Sequence, residues 1–144
     1  MIINLVIGLS TMTVCLILQS LILMLAFRYY GKYTKLTENP SYTSSIIMLN
    51  IIMMLLVLGN LMQLSIWAIL FLMLGEFNNI SEAIYHSAVN FATLGYGDIV
   101  MSDKHKLLGP LESINGVLMI GVTTAVLMAA LRDSMKKTIK AKNN

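Results

Sequence analysis

The chain has 144 residues, 57% of them apolar and only 12% charged, with twelve methionines and a net charge of +3. That balance excludes an ordinary soluble domain and a disulfide framework, since one cysteine is present, and the length allows one small domain. Excess basic charge alone does not indicate a nucleic-acid partner, because no aromatic or glycine-rich binding pattern accompanies it.

Residues 2–27 run 26 positions without a charge. No Lys or Arg precedes this run and no small-residue cleavage pattern follows it, so it is expected to be an uncleaved N-terminal transmembrane helix over residues 1–28. Cys15 lies inside it as a small packing residue. Residues 29–45 follow as a linker with Gly31 and Pro40 as breakers, and its tyrosines, Tyr29, Tyr30, Tyr33 and Tyr42, suit a headgroup belt.

A second uncharged run of 30 residues, 46–75, is expected to be an outer helix, with Asn50, Asn60, Gln63 and Ser65 turned toward other helices rather than lipid. A third, 19 residues long, covers 113–131, and Gly109-Pro110 supplies a break and a first-turn proline for a helix over 110–131. Three crossings put eight of the ten basic residues on one face: Arg28, Lys32 and Lys35 after the first span, and Arg132, Lys136, Lys137, Lys140 and Lys142 in a tail over 132–144. By the positive-inside rule that face is cytoplasmic, which leaves the N-terminus and the segment from Glu76 to Glu112 outside. A multi-pass protein of the cell membrane is expected, with the bilayer itself as a partner and no nucleic acid or soluble partner implied.

Between the second and third runs lies a segment too short and polar to cross again. Asn79 with Glu82 three positions on predicts a helix N-cap and its reciprocal partner, with a short helix over 80–92. Its C-terminal end would carry partial negative charge, which favours a cation. Thr93-Leu94-Gly95-Tyr96-Gly97 then places two glycines where backbone angles closed to other residues let successive carbonyls face one axis, with Leu94 and Tyr96 turned away as wedges against the helix.

TLGYGD, preceded by this short helix and followed by a long apolar one, closely resembles the selectivity filter of tetrameric potassium channels, whose usual pattern is T-V-G-Y-G-D; the likeness covers residues 46–131. Within that family it most resembles the bacterial two-helix pore type, here with an extra N-terminal span. The resemblance implies an all-α membrane protein of three transmembrane helices plus a re-entrant pore helix and filter, assembled as a fourfold homotetramer. It makes K+ the permeant ion, coordinated by Thr93, Leu94, Gly95, Tyr96 and Gly97, with Asp98 at the outer mouth, and implies no cofactor and no metal beyond K+.

Tyr85 and His86 stand where many members carry two tryptophans behind the filter. There Tyr85 could bond Asp98 and His86 could bond the Tyr96 hydroxyl of the same or a neighbouring chain and confer pH dependence on the filter, or His86 is a neutral packing residue against lipid or Phe91. Val89 stands where some members have a buried glutamate. Gly121 falls where the inner helix often bends, with Gly116 as a second candidate, although Gly121, Ala125 and Ala129 also form a small-residue packing stripe. Two other classes remain open: a non-conducting accessory membrane subunit, and, less favoured, an enzyme using Ser81, His86 and Asp98. No pair of histidines has metal-ligand spacing.

Overall fold

The computed structural model describes residues 1–36 and 42–143, and within them helices are the only regular secondary structure. Four helices follow in order: α1 (Ile2–Leu36), α2 (Tyr42–Met73), α3 (Ile80–Phe91) and α4 (Leu108–Asn143). Three are long and apolar enough to cross a membrane, over Ile2–Lys32, Thr43–Met73 and Leu108–Lys136. At ~1.5 Å per residue the 36 residues of α4 extend well past ~30 Å of hydrocarbon.

The long helices outrun their expected bounds. α1 continues through Gly31 to Leu36, so residues 29–36 of the expected linker are helical; α2 begins at Tyr42, and Pro40 lies outside the described residues. α4 begins two residues before Pro110 and carries the basic segment as helix rather than as a tail. Pro110 sits in the first turn, where a missing amide hydrogen costs no helical bond. Beyond Leu131 no Gly or Pro interrupts the chain, and lysines near a helix C-terminus meet the negative end of its dipole.

α1 packs on α2 and α4, and α3 packs on the same two helices from the other side. One apolar cluster joins Cys15, Trp67, Ala68, Phe71, Phe77, Ala83 and Leu108, and a second joins Ala26, Met48, Ile52 and Leu56. Asn4 donates to the Lys104 carbonyl at 2.6 Å, which sets the start of α1 beside the loop before α4. Tyr30 donates to Asp133, which joins α1 to α4 at the opposite end. Tyr30 is therefore tied to a helix rather than free in a tyrosine belt, while Tyr29 is exposed; the side chains of Tyr33 and Tyr42 lie outside those described.

Polar side chains inside the bundle meet one another, as expected for Gln63. It is fully buried, donates to Gln19 Oε1 of α1 at 2.8 Å and accepts from Asn115 Nδ2 of α4 at 3.4 Å. A hydrocarbon interior offers these amides no other partner, so the seam fixes the rotation of α1 against α2 and α4. Asn60 makes a longer contact to Thr123 Oγ1 at 3.5 Å, whereas Asn50 and Ser65 bond carbonyls of their own helix turn.

Replacing Gln63 with Leu strands the Gln19 and Asn115 side chains. The expected loss is about 1 kcal/mol, read as a lower denaturant midpoint in mild detergent, with Gln19→Leu in the same background restoring part of it.

Candidate functional site

Short helix α3 is held at both ends. At its start the Asn79 Oδ1 accepts from the Ser81 amide at 3.0 Å; the reciprocal bond expected of Glu82 is not made, though its charge in the first turn suits the helix dipole. At its end Ala92 is the cap, one residue earlier than the expected helix boundary implied. The Thr93 amide bonds the Asn90 carbonyl at 2.8 Å and the Leu94 amide bonds the Val89 carbonyl at 2.9 Å. This pairing is the Schellman motif, whose next residue takes a left-handed conformation and is usually glycine.

The same motif ends α2, where Gly75 bonds Leu72, Glu76 bonds Phe71, and Gly75 has φ +73°. At the end of α3 the left-handed position is Thr93, with φ +58°, the one non-glycine residue with positive φ among those described. A β-branched residue there is strained. Gly95 and Gly97 follow with φ of +59° and +73°, so positive φ recurs at 93, 95 and 97 but not at Leu94 or Tyr96. Alternating hand along a strand turns successive amides to one side and successive carbonyls to the other. Among the described residues no carbonyl from 93 to 97 accepts a hydrogen bond from the chain.

A Cβ at Gly95 or Gly97 would meet nothing within 4 Å, so the need for glycine comes from the backbone angle rather than from crowding. Residues 92 to 98 are all exposed in the single chain. Leu94 and Tyr96 are thus not packed against α3 within the chain as expected, and the inward face of α3 meets Phe71 and Phe77, whose ring centroids lie 5.6 and 5.0 Å from that of His86.

Tyr85 donates to Asp98 Oδ2 at 2.7 Å, the contact anticipated between them. That bond holds the Asp98 carboxyl below its usual range and raises the Tyr85 hydroxyl. Within the chain His86 does not reach Tyr96. Its Nδ1 lies 2.9 Å from the Ile99 carbonyl, which can only accept, and its Nε2 lies 2.8 Å from the Asn90 amide nitrogen, which can only donate. One neutral tautomer, with the proton on Nδ1, satisfies both, and burial lowers the ring's pKa despite the Ile99 carbonyl. His86 is the neutral packing residue of the two readings, though against Phe71 and Phe77 rather than lipid or Phe91. It bonds neither Ser81 nor Asp98, so the three residues weighed as a catalytic set are not assembled.

Beyond Asp98 the chain is anchored by Glu76, which the sequence did not single out. Its carboxylate accepts from the Ser102 amide at 2.6 Å, the Ser102 hydroxyl at 2.7 Å and His105 Nδ1 at 2.5 Å. Burial raises its pKa, but these donors outweigh burial and bring it below the ordinary value. Behind the strand, Ser113 Oγ lies 2.9 Å from the Asn90 carbonyl. At Gly116 an added Cβ would collide with the Phe91 carbonyl. Gly116 is therefore a close-approach glycine between α4 and α3, whereas Gly121 has nothing within 4 Å and sits on an exposed face of α4.

The Tyr85 hydroxyl bonds the ionised Asp98 carboxylate more strongly than the protonated acid, and the Asp98 pKa is depressed accordingly. The extra stabilisation is fully present above the ordinary carboxylate value of 3.8 and is lost as pH falls through the lowered one. Tyr85→Phe should return the Asp98 carboxyl toward 3.8 in an NMR titration of the reconstituted protein; an unchanged titration would show that the bond is not formed in the membrane.

The sequence model of a family described as ion channel matches residues 61–133, from the middle of α2 through α3 and the strand to most of α4. No curated protein and no solved structure gives a significant match to the chain.

Proposed function

The chain belongs to the ion channel family matched over residues 61–133, and we propose that it is a potassium-selective channel, passive in mechanism, in which four copies surround one conducting axis. The observation that carries this reading is the strand 93–97, where alternating positive φ leaves carbonyls on one side without partners in the chain. In a membrane such carbonyls are tolerated where they line an ion path, since the ion takes the place of a donor. Thr93 adds its hydroxyl at the inner end. The carbonyls of Leu94, Gly95 and Tyr96 form the sites above, and Asp98, held by Tyr85, stands at the outer mouth.

One strand offers carbonyls from one side only. Closing a ring around an ion takes copies related by rotation, and the single TLGYGD in the chain makes them identical. The exposed face of α4 that continues below the strand, with Gly121, Thr124, Ala125 and Met128, is apolar apart from a hydroxyl already bonded to its own turn. In the fourfold assembly that face lines the inner cavity, and Gly121, free of contacts, is the hinge. The basic ends of α1 and α4 are cytoplasmic and the N-terminus is outside.

In liposomes the purified protein should carry potassium down its gradient, exclude sodium and be blocked by barium. Gly95→Ala and Gly97→Ala, each forced to hold a Cβ at positive φ, should abolish selective conduction. Equal sodium and potassium fluxes through the wild type would sink the assignment, and a well-folded chain with no flux would favour the accessory-subunit reading. Native mass measurement should give a tetramer; a conducting monomer or dimer contradicts the fourfold arrangement.

A further inference from the structure

Glu112 belonged, by its place in the sequence, with the outer acids before the third span. In the structure it lies in the second turn of α4 with no exposed surface, where α1, α2, α3 and α4 converge. Its Oε1 bonds the hydroxyl of Ser87, itself fully buried on α3, and its Oε2 has no partner. The Ser87 hydroxyl also lies 2.8 Å from the backbone carbonyl of Leu64 on α2.

The proton inventory of this three-oxygen chain is short. A serine hydroxyl has one hydrogen, and a backbone carbonyl has none. If Glu112 were ionised, Ser87 would have to give its hydrogen to the carboxylate. Its oxygen would then face the Leu64 oxygen at 2.8 Å with lone pairs on both and nothing between. If Glu112 carries a proton, Glu112 donates to Ser87, Ser87 donates to Leu64, and both contacts are hydrogen bonds.

The surroundings agree. Among the described residues the ion pairs are His105 with Glu76 and Lys106 with Asp103, neither involving Glu112. Around the carboxyl α1 brings the thiol of Cys15, α2 the Leu64 carbonyl, α3 Ser87 and Asn90, and α4 Asn115. His86, the other titratable group of α3 nearby, turns its ring to Ile99 and Asn90. Among the described residues no cation faces the carboxyl; the Asn90 amide comes near it, but Oε2 makes no hydrogen bond, so an ionised Oε2 would be a buried charge without a bonded donor.

We propose that Glu112 is a protonated acid at neutral pH and that, by donating to Ser87, it acts as the positioning residue that fixes α3 between α2 and α4 and so sets the strand that α3 carries. The protonation stands on the hydrogen-bond count alone, while the effect on the strand rests on the potassium-channel reading above. Ser87 lies within the same helix whose last turn begins the Schellman motif at Thr93, so a shift of α3 moves the left-handed residue directly.

The test uses the full chain reconstituted in lipid near neutral pH. The infrared spectrum of the wild type should contain the carbonyl stretch of a protonated carboxylic acid, and Glu112→Gln should remove it. Absence of that band, or its survival in Glu112→Gln, overturns the protonated state. Gln keeps a donor to Ser87, so its potassium-over-sodium selectivity should stay within about twofold of wild type, whereas Glu112→Leu, of similar bulk and without a donor, should lose about tenfold. Equal losses in the two variants, or none in either, overturn the positioning role. A wild type that passes no ions would defeat the channel reading while leaving the infrared result to decide the state of Glu112.

Discussion

The segment after α3 is governed by the requirement that a backbone oxygen shielded from water have a partner. Helices meet that requirement internally, and the Schellman motifs at Gly75 and Thr93 meet it at two helix ends. Residues 93–97 do not meet it within the chain. A segment that breaks the rule needs its neighbours to hold it in place, because strained left-handed residues persist only where the surroundings over-determine them. The supports are visible on each side: Tyr85 on Asp98, His86 on Ile99, Glu76 on Ser102 and His105, and Gly116 packed against Phe91.

These supports come from α3, α4 and the turn after α2, so α1 acts on the segment only through its neighbours. The backbones of α1 and α3 do not approach closely, and the ion channel family match begins beyond α1, in the middle of α2. Its influence passes through α2 and α4, by the Gln19 to Gln63 to Asn115 seam, and through the Asn4 bond to the loop that follows the strand. Gly8 and Gly59 allow this closeness, since a Cβ at Gly8 would collide with Leu111 and one at Gly59 would meet Ile22 at 2.8 Å. α1 is thus a brace on the back of the other two long helices.

The three long helices were legible because charge-free runs of that length have one stable form in lipid. Their ends were not, because Gly31 and the basic residues after Leu131 read as breaks and tail while costing a helix little in place. The Tyr85 bond to Asp98 could be anticipated from the spacing of the resemblance. The His86 partner could not, since nothing in the local pattern tells that Phe71 and Phe77 enclose the ring. Thr93 carried no glycine signal for its left-handed backbone. Glu112 was misplaced for a related reason: charge marks a span boundary only when the charge is solvated, and burial beside Ser87 removes that premise.

The two Schellman motifs also separate stability from function within one small chain. At Gly75 the left-handed position is filled by the residue that takes it at least cost, and the chain simply turns. At Thr93 an identical set of bonds is made with a residue that resists the angle, two and four residues before the glycines that accept it. Glycine at 93 would relieve the backbone and preserve the turn, so folding alone gives no reason for threonine there. Its hydroxyl is what glycine lacks, and the hydroxyl stands at the first of a row of oxygens that the chain leaves without partners.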